Sequence, residues 1–452
     1  MSALPASLPT LEELLGHWPQ GRSLGARLAG GLRARGVRRG DRVAWQLPND
    51  DRVIALYRAC WRLGAVAVPL HHRVGPAELA GVLAEVGPAV VLASWDELDA
   101  LASSSEPYTG LDADLEDDAV VLFTAGSTGA PKGVRHTHRS LAYKARSMVE
   151  VHGLRPEDVV LMPAPLAHIS GLLNGVLVPG AAGMASVLMP QWSPQEALDL
   201  IERHRVSFMV GPPTFFVDLM ESPAFRPAAV ASLRLVSSGG AGVAPAFVDR
   251  ATEQLGAVVK RSYGSTEAPT VATSVEGDDP ALVRVHDGHP VGQAELRLDD
   301  GGQLLVRGPE LFAGYLSPQQ TRAAMVDGGW FQTGDLAVIS ADGWLTITGR
   351  LKALIIRGGE NISIAEVERI LEEHPAVRRA AVLGEPDERL GERVVAVVVA
   401  PGGFDLEECR GWFARRGVAR FKTPERVVVV DELPVSATGK LDRAALRSLL
   451  SG

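Results

Sequence analysis

One uninterrupted run of apolar residues constrains the fold of this chain more than any other feature. The run, Ala119-Val-Val-Leu-Phe123, follows the acidic segment Asp112 to Asp118 and leads directly into a glycine-rich loop. Such a run is typical of a strand buried on both faces, as strands are in a parallel sheet covered by helices. It therefore predicts an α/β fold with the loop at the end of a central strand.

Short β-rich runs alternate with amphipathic stretches from about Leu24 to Leu200. This alternation predicts βαβ units, whose consecutive strands run parallel in one sheet. The predicted strands span Arg42–Gln46, Ala65–Pro69 and Ala89–Ala93, and a predicted helix spans Val53–Leu63.

The pattern of predicted helices and strands changes twice toward the C-terminus. After about Arg284, the short strands Glu295–Leu298 and Gln303–Arg307 predict a small antiparallel barrel or sheet. The last hundred residues predict a compact α+β unit, and 452 residues are too many for one core. We therefore expect an N-terminal domain over 1–350 and a C-terminal domain over 351–452. Its predicted elements are helices at Ile364–Glu373, Leu406–Arg416 and after Leu441, and strands at Ala380–Leu383, Arg393–Val399 and Arg426–Val430.

Composition narrows the class of protein. A net charge of -9 argues against a general nucleic-acid surface, which needs clustered cations. Cys60 and Cys409 lie far apart in apolar helical patterns, so we expect reduced core residues. The N-terminus lacks the pattern of a signal peptide, and we find no stretch of roughly 20 apolar residues. These observations predict a cytoplasmic protein with no membrane partner. The oligomeric state does not follow from them, and a monomer or a homodimer is expected.

The loop after the apolar run suits a polyphosphate. Its glycines let the backbone turn tightly and bring N–H groups close to phosphate, while two hydroxyls and a lysine add donors. Lys132 is followed by Gly133, so the loop is not a P-loop of the GxxxxGK[ST] kind. The candidate ligand-binding residues are Thr124, Gly126, Ser127, Thr128, Gly129 and Lys132.

Further motifs follow this loop in a fixed order. They are Pro165-Leu-Ala-His-Ile-Ser-Gly171, Ser238-Gly-Gly-Ala241, Tyr263-Gly-Ser-Thr-Glu267, Trp330-Phe-Gln-Thr-Gly-Asp335, Gly349-Arg-Leu-Lys352, Gly358-Gly-Glu-Asn-Ile362 and Thr438-Gly-Lys-Leu-Asp-Arg443. With the phosphate loop, they resemble the superfamily of adenylate-forming enzymes, which includes acyl-CoA synthetases and the adenylation domains of non-ribosomal peptide synthetases. The resemblance covers nearly the whole chain.

The resemblance implies that a carboxylate attacks the α-phosphorus of ATP and that pyrophosphate leaves. It assigns Lys440 to the charge that develops between the two anions, which preorganised cations stabilise. Glu267 is implied as the ligand of Mg²⁺, and Thr266 as a hydrogen-bond donor to phosphate. Because Lys440 lies in the second domain, closure should be required for adenylation.

The resemblance also implies a nucleotide site. Tyr263 would stack on adenine, and the Gly239-Gly240-Ala241 turn would give the base room against the backbone. Asp335 would accept hydrogen bonds from both ribose hydroxyls, and Arg350 would hold the ribose or the α-phosphate. Gly264, with Gly240, would open space for a bulky acyl group.

A thiol must then reach the same site. In this superfamily the C-terminal domain swings about a hinge, and Lys352 matches the hinge position. Gly358 and Gly359 would line the pantetheine tunnel of coenzyme A, where backbone tolerates no side chain. The chain departs from the family pattern at Ala125, Ala353 and Arg357, which bears on rate and thiol preference rather than on reaction type.

The motif Pro165-Leu-Ala-His-Ile-Ser-Gly171 bears on the identity of the acid. It offers no Asp to pair a substrate ammonium, which favours an acid without an amine. His168 either lines the acyl pocket or is structural. The motifs favour a CoA ligase for medium-chain, alicyclic or aryl acids. Two alternatives remain, a freestanding enzyme that loads a carrier protein and a nucleotide-binding sensor without turnover.

Overall fold

The computed structural model describes residues 8–124, 131–240, 242–243, 245–351, 354–434 and 443–450. They fall into two compact units. The larger unit takes its residues from Met1–His72, Val86–Phe123 and Gly133–Leu351, and the smaller from Arg73–Glu85, Thr124–Lys132 and Lys352–Gly452. Two short segments of the N-terminal sequence therefore group with the smaller unit, which the sequence patterns do not indicate.

The first part of the chain alternates helices and strands as the sequence predicts. Its elements are α1 (Leu11–Leu14), α2 (Arg22–Ala34), β1 (Arg42–Trp45), α3 (Asp51–Arg62), β2 (Val66–Pro69), α4 (Pro76–Val86), β3 (Val90–Leu92), α5 (Trp95–Ala102), β4 (Asp118–Thr124), β5 (Lys132–Thr137) and α6 (His138–His152).

The alternation continues through a second series. It comprises β6 (Val159–Met162), α7 (Ile169–Leu172), a π-helical turn (Leu173–Leu177), α8 (Val178–Ala182), β7 (Ala185–Leu188), α9 (Pro194–His204), β8 (Phe208–Gly211), α10 (Pro213–Glu221), a 3₁₀ turn (Pro227–Val230), β9 (Leu235–Gly239), α11 (Pro245–Leu255), β10 (Val258–Tyr263), β11 (Ala272–Thr273), α12 (Pro280–Val285) and β12 (His289–Pro290).

Short strands then dominate, and an α+β region follows. The elements are β13 (Glu295–Leu298), β14 (Gln303–Arg307), β15 (Gly314–Tyr315), α13 (Pro318–Ala324), β16 (Met325–Val326), β17 (Trp330–Ile339), β18 (Leu345–Arg350), β19 (Leu354–Arg357), β20 (Glu360–Ser363), α14 (Ile364–Glu372), β21 (Arg379–Asp387), β22 (Gly391–Val399), α15 (Leu406–Arg415), a 3₁₀ turn (Arg420–Lys422), β23 (Arg426–Val429) and α16 (Arg443–Leu450).

Two sheets form the centre of the larger unit. Within the described residues, the first has the strand order β15-β5-β4-β2-β1-β3 and the second β12-β11-β10-β9-β8-β6-β7. β2, β1 and β3 run parallel in the first sheet, as do β7, β6, β8, β9 and β10 in the second. The α/β prediction with largely parallel sheets is confirmed.

Helix α3 shows why the local sequence folds as predicted. The Asp50 side chain accepts a hydrogen bond from the Arg52 N–H and so caps the first turn. Tyr57 and Trp61 pack into the core of the first sheet, where the Trp61 indole N–H donates to the Ala119 carbonyl at 3.1 Å. This contact joins the helix to the buried strand β4. Cys60, on the same helix, is a buried free thiol, as expected.

The later regions agree with their predicted architecture and add a hairpin. Strands β13, β14, β17 and β16, with β18 beside β17, form an antiparallel sheet, which is the sheet alternative of the prediction. In the smaller unit, β19 and β20 pair across Gly358 and Gly359, whose φ angles are +56° and +86°. Both residues of such a two-residue turn need positive φ. Gly358 and Gly359 thus form the turn of a hairpin whose strands are β19 and β20.

The smaller unit holds helix α4 by a buried cation. Lys422 is 3% exposed, and its Nζ lies 3.1 Å from Glu78 and 3.0 Å from Glu366. Glu78 belongs to α4, whereas Glu366 belongs to α14. The paired carboxylates raise the pKa of Lys422 despite its burial. Among the described residues, every helix falls short of the length and apolarity that a membrane span requires.

Candidate functional site

Four parallel strands of the second sheet end at the same edge. Because β6, β8, β9 and β10 run parallel, the segments that follow them lie at one edge. These segments carry His168, Pro212 and Gly240, and Tyr263 is the last residue of β10. This is the edge at which open α/β sheets bind ligands. The fold therefore gathers residues from motifs that are up to about a hundred positions apart.

The predicted adenine and ribose residues are hydrogen-bonded to each other. Tyr263 ends β10, and its hydroxyl donates to Asp335 Oδ2 at 2.7 Å. Asp335 is 6% exposed and lies on β17, and its backbone N–H donates to Thr333 Oγ1 at 3.0 Å. Arg350 lies opposite Asp335 in the β17–β18 register. An aromatic ring and an oriented carboxylate thus meet where β10 approaches the antiparallel sheet.

Three positions near Tyr263 are glycines, and the structure gives a different physical reason for each. Gly239 pairs with Ser262 across β9 and β10, and a Cβ at Gly239 would lie 2.3 Å from the Ser262 carbonyl oxygen. Gly240 adopts φ +75° with open space around the Cβ position. A Cβ at Gly264 would lie 2.3 Å from the Thr270 nitrogen, so packing of its own loop requires this glycine. Room for an acyl group is therefore not what explains Gly264.

Thr266 and Glu267 follow Tyr263 in that loop, and both are half-buried. Glu267 Oε1 accepts a hydrogen bond of 2.8 Å from the Tyr315 hydroxyl, and the Thr266 carbonyl oxygen lies 2.7 Å from His136 Nε2. Sequence reasoning missed Tyr315 and His136. Each lies in a short strand, and only the pairing of β15 with β5 indicates that they act on the same loop.

His168 lies beside two further imidazoles that sequence reasoning missed. His71 follows β2, and its ring centroid is 5.2 Å from that of His168 and 4.7 Å from that of His72. The paired histidines directly after a buried strand were the available signal. The apolar segment Leu172–Pro179 is buried in the core, whereas Pro212 to Phe215 is half-buried.

Two other predicted residues lie at the ends of neighbouring strands. Thr124 ends β4 and Lys132 begins β5, and both are half-buried. The remaining predicted residues lie outside the described residues: Gly126, Ser127, Thr128, Gly129, Ala241, Lys352 and Lys440.

Burial sets the protonation of the histidine behind the loop. His136 is fully buried, and desolvation lowers its pKa to about 4. The imidazole is therefore neutral near pH 7. A carbonyl oxygen can only accept, so Nε2 carries the proton and donates to Thr266.

Known proteins match both parts of the chain. Residues 22–110 and 94–316 match the AMP-binding enzyme family, and residues 366–440 match the AMP-binding enzyme C-terminal domain. A medium-chain fatty-acid–CoA ligase of Escherichia coli (strain K12) is 35% identical, over 93% of this chain and 83% of the ligase. A feruloyl-CoA synthase of Amycolatopsis sp is 34% identical, over 93% and 91%.

A solved structure extends the match to three dimensions. The amide bond synthetase of Marinactinospora thermotolerans aligns with a TM-score of 0.87 at 29% identity, over 98% of this chain and 99% of that chain. The predicted superfamily and the predicted enzyme class, an acid–thiol ligase, are confirmed. Matches over most of its length and the ordered motifs together show that the chain belongs to the AMP-binding enzyme family.

Proposed function

We propose that this protein is an AMP-forming acyl-CoA synthetase that acts on an apolar carboxylic acid without an amine. One observation carries the nucleotide half of this proposal, the 2.7 Å hydrogen bond between Tyr263 and Asp335. It presents a ring face and a carboxylate side by side, which suits a base and its ribose. The phosphate-binding pair Thr266–Glu267 begins three residues after that ring.

The reaction has two steps, a substitution at the α-phosphorus of ATP and then a substitution at the acyl carbon. The acid's carboxylate oxygen attacks the α-phosphorus of ATP, the bond to the β-phosphate bridging oxygen breaks, and pyrophosphate leaves. The thiolate of coenzyme A then attacks the acyl carbon, and AMP leaves with the electron pair. The site residues contribute mainly position and charge, because holding two anions in line removes much of the barrier.

Glu267 and Thr266 fit the magnesium ion that such a reaction employs. Mg²⁺ prefers hard oxygen ligands and is usually held by one or two carboxylates together with substrate phosphates. Glu267 supplies one carboxylate in a half-buried position, and Thr266, the residue before it, carries a hydroxyl and is also half-buried. When bound, the ion would neutralise charge on the phosphates. Glu267 would hold it, and Thr266 would donate to a phosphate oxygen.

The acyl group would enter between His168 and the segment after β8. Pro212 to Phe215 is apolar and half-buried, and the three imidazoles at His168 offer no anion to a substrate ammonium. The similarity to ligases named for medium-chain fatty acids and for feruloyl groups supports an acid of this kind. We assign Lys440 to the adenylation step and Lys352 to the hinge, and Gly358 and Gly359 to the coenzyme A path.

A panel of carboxylic acids tests the proposal. Each acid is supplied with MgATP, and pyrophosphate release is measured with and without coenzyme A, with mass spectrometry of the product. We expect release that depends on an aliphatic or aryl acid, and a thioester only when coenzyme A is present. Amino acids serve as the matched negative set.

Other outcomes identify the alternatives. A product that forms only on a carrier protein would replace coenzyme A as the acceptor. A product that forms only with an amine would favour an amide-forming enzyme, the activity named for the structural relative. ATP binding without pyrophosphate release for any acid would contradict the synthetase proposal and favour a sensor.

A further inference from the structure

The loop Gly264–Thr270 is fixed more tightly than its sequence suggests. Within it, the Ser265 N–H donates to the Ala268 carbonyl at 3.0 Å, and the Ala268 N–H donates to Ser265 Oγ at 3.2 Å. Thr270 has φ +37°, which a β-branched residue rarely adopts. Strain of this kind persists only where the surroundings over-determine the backbone. Contacts from residues outside the loop must therefore hold this backbone conformation.

Lys144 holds the far end of the loop. Its side chain is fully buried on α6, its Nζ donates to the Thr270 carbonyl at 2.9 Å, and it lies 3.4 Å from Glu310 Oε1. Burial lowers the pKa of Lys144, and the Glu310 carboxylate opposes that effect. This contact anchors the strained residue but lies three positions beyond Glu267.

His136 fixes the peptide that links Thr266 to Glu267. The neutral imidazole donates through Nε2 to the Thr266 carbonyl at 2.7 Å, and its Nδ1 lies 3.4 Å from Ser140 Oγ. The carbonyl of Thr266 and the N–H of Glu267 share one rigid peptide plane. The imidazole thereby sets the direction in which both side chains leave the backbone.

Tyr315 fixes the carboxylate itself. Its hydroxyl donates to Glu267 Oε1 at 2.8 Å, while the Phe312 N–H donates to the Glu267 carbonyl at 2.9 Å. Tyr315 is only 3% exposed, so this hydrogen bond is shielded from solvent. A hydrogen bond to one carboxylate oxygen orients the group and leaves the other oxygen's direction defined.

Both donors come from one pair of strands. His136 lies on β5 and Tyr315 on β15, and these strands pair in antiparallel register at Gly314 with Arg135 and Tyr315 with Val134. The loop they contact follows β10 of the other sheet. The two sheets are thus tied together at the loop that carries Thr266 and Glu267.

We propose that His136 and Tyr315 are positioning residues for the metal–nucleotide complex, acting through Thr266 and Glu267. This inference rests on the proposed function, which assigns those two residues to Mg²⁺ and phosphate. Partners that orient a metal ligand contribute to affinity although they do not touch the ion. Neither residue belongs to a motif from which the family was identified.

The test measures binding in the absence of any acid, so no turnover occurs. Mn²⁺ replaces Mg²⁺, and the full chain is titrated with Mn²⁺ and ATP while electron paramagnetic resonance reports free Mn²⁺. Replacing a residue that orients a metal ligand typically weakens metal binding by roughly 10- to 100-fold, which is the loss expected for His136→Leu and for Tyr315→Phe. His136→Gln keeps an N–H at similar reach and should restore most of the affinity.

His138→Leu is the matched control. His138 is equally buried, and burial lowers its pKa to about 4, but its Nδ1 accepts from the Leu11 N–H, away from the loop. We expect this variant to bind Mn²⁺ and ATP as the original chain does. Equal weakening by His138→Leu and His136→Leu would overturn the proposal, because general loosening of the core would then explain both.

The His136→Leu and Tyr315→Phe variants can each overturn the proposal. Unchanged binding in a folded His136→Leu chain overturns the role of His136. If that variant does not fold, Tyr315→Phe decides, because it removes a single oxygen, and unchanged binding there overturns the proposal. If the unmodified chain releases no pyrophosphate with any acid, the synthetase function is contradicted. The Mn²⁺ and ATP titrations of the variants can still be interpreted in that case.

Discussion

Removing the Tyr263 hydroxyl should weaken ATP binding without removing the surface on which adenine lies. Tyr263→Phe keeps the ring at the end of β10 but deletes the donor to Asp335 Oδ2. Asp335 would then keep its Thr333 contact at the backbone and lose this hydrogen bond to its carboxylate. The ribose hydroxyls would meet a carboxylate that is held by one hydrogen bond fewer.

The size of the effect follows from the chemistry of that bond. A hydrogen bond to a charged group contributes about 1.5–3 kcal/mol, and the half-buried position of Tyr263 favours the lower end. Since about 1.4 kcal/mol is tenfold in an equilibrium constant, Kd for ATP should rise about tenfold. Isothermal titration calorimetry with ATP and no acid measures this directly. Tyr263→Ala, which also removes the ring face, should bind more weakly still.

A second tyrosine provides the matched control. The Tyr57 hydroxyl is fully buried and donates to the Leu166 carbonyl, also at 2.7 Å. Tyr57→Phe should lower the free energy of unfolding and leave Kd for ATP unchanged. An unchanged Kd in Tyr263→Phe, or an equal rise in both phenylalanine variants, would refute the assignment of Tyr263 and Asp335 to the nucleoside.

Three other predictions address the reaction, the loop and the pH dependence of stability. Lys440→Ala should abolish most acid-dependent pyrophosphate release but leave thioester formation from a supplied acyl adenylate much less affected; equal losses in a folded chain would contradict its assigned role. Gly264→Ala should lower the unfolding free energy by about 3 kcal/mol or more, because backbone atoms of Thr270 cannot yield to the new methyl group, whereas Gly240→Ala should lower it by only about 1–2 kcal/mol for its left-handed backbone. Denaturant titration would reject this reasoning if the order were reversed. Burial lowers the pKa of His152 from 6.5 to about 3, so only the unfolded chain takes up its proton at mildly acidic pH. This group should therefore lower stability by about 1.4 kcal/mol between pH 7.5 and 5.5, and His152→Leu should remove that dependence.

The sequence predicts well those features that depend on local patterns. The predicted strand at Ala119–Phe123 and the predicted helix at Val53–Leu63 agree with the structure to within two residues at each end. Their signals, the pattern of apolar residues and the helix cap, depend only on residues that are neighbours in the sequence. The ordered motifs also assign Tyr263 and Asp335 to one nucleotide, whereas the hydrogen bond between them is seen only in the structure. In both cases the signal lies in a short stretch of sequence.

The parts that sequence could not predict depend on contacts between distant strands. His136 and Tyr315 act on one loop only because β5 pairs with β15, and no short pattern encodes that register. Two adjacent glycines suit either a narrow channel or a turn that needs positive φ, so the sequence alone does not indicate the hairpin at Gly358–Gly359. His71 carried a signal, but its meaning required knowing which strand ends beside His168.

The anchoring of Gly264–Thr270 has a consequence for engineering. A designer who transplants the Tyr263–Glu267 motif into another scaffold would move the ligands without the imidazole, the phenol and the ammonium that hold them. To keep the loop conformation, the transplanted part must therefore be larger than the motif and must include β5, β15 and α6. The segment Pro212 to Phe215, which we propose contacts the acyl group, takes no part in these three hydrogen bonds, so substitutions there should change acid preference while the nucleotide chemistry stays intact.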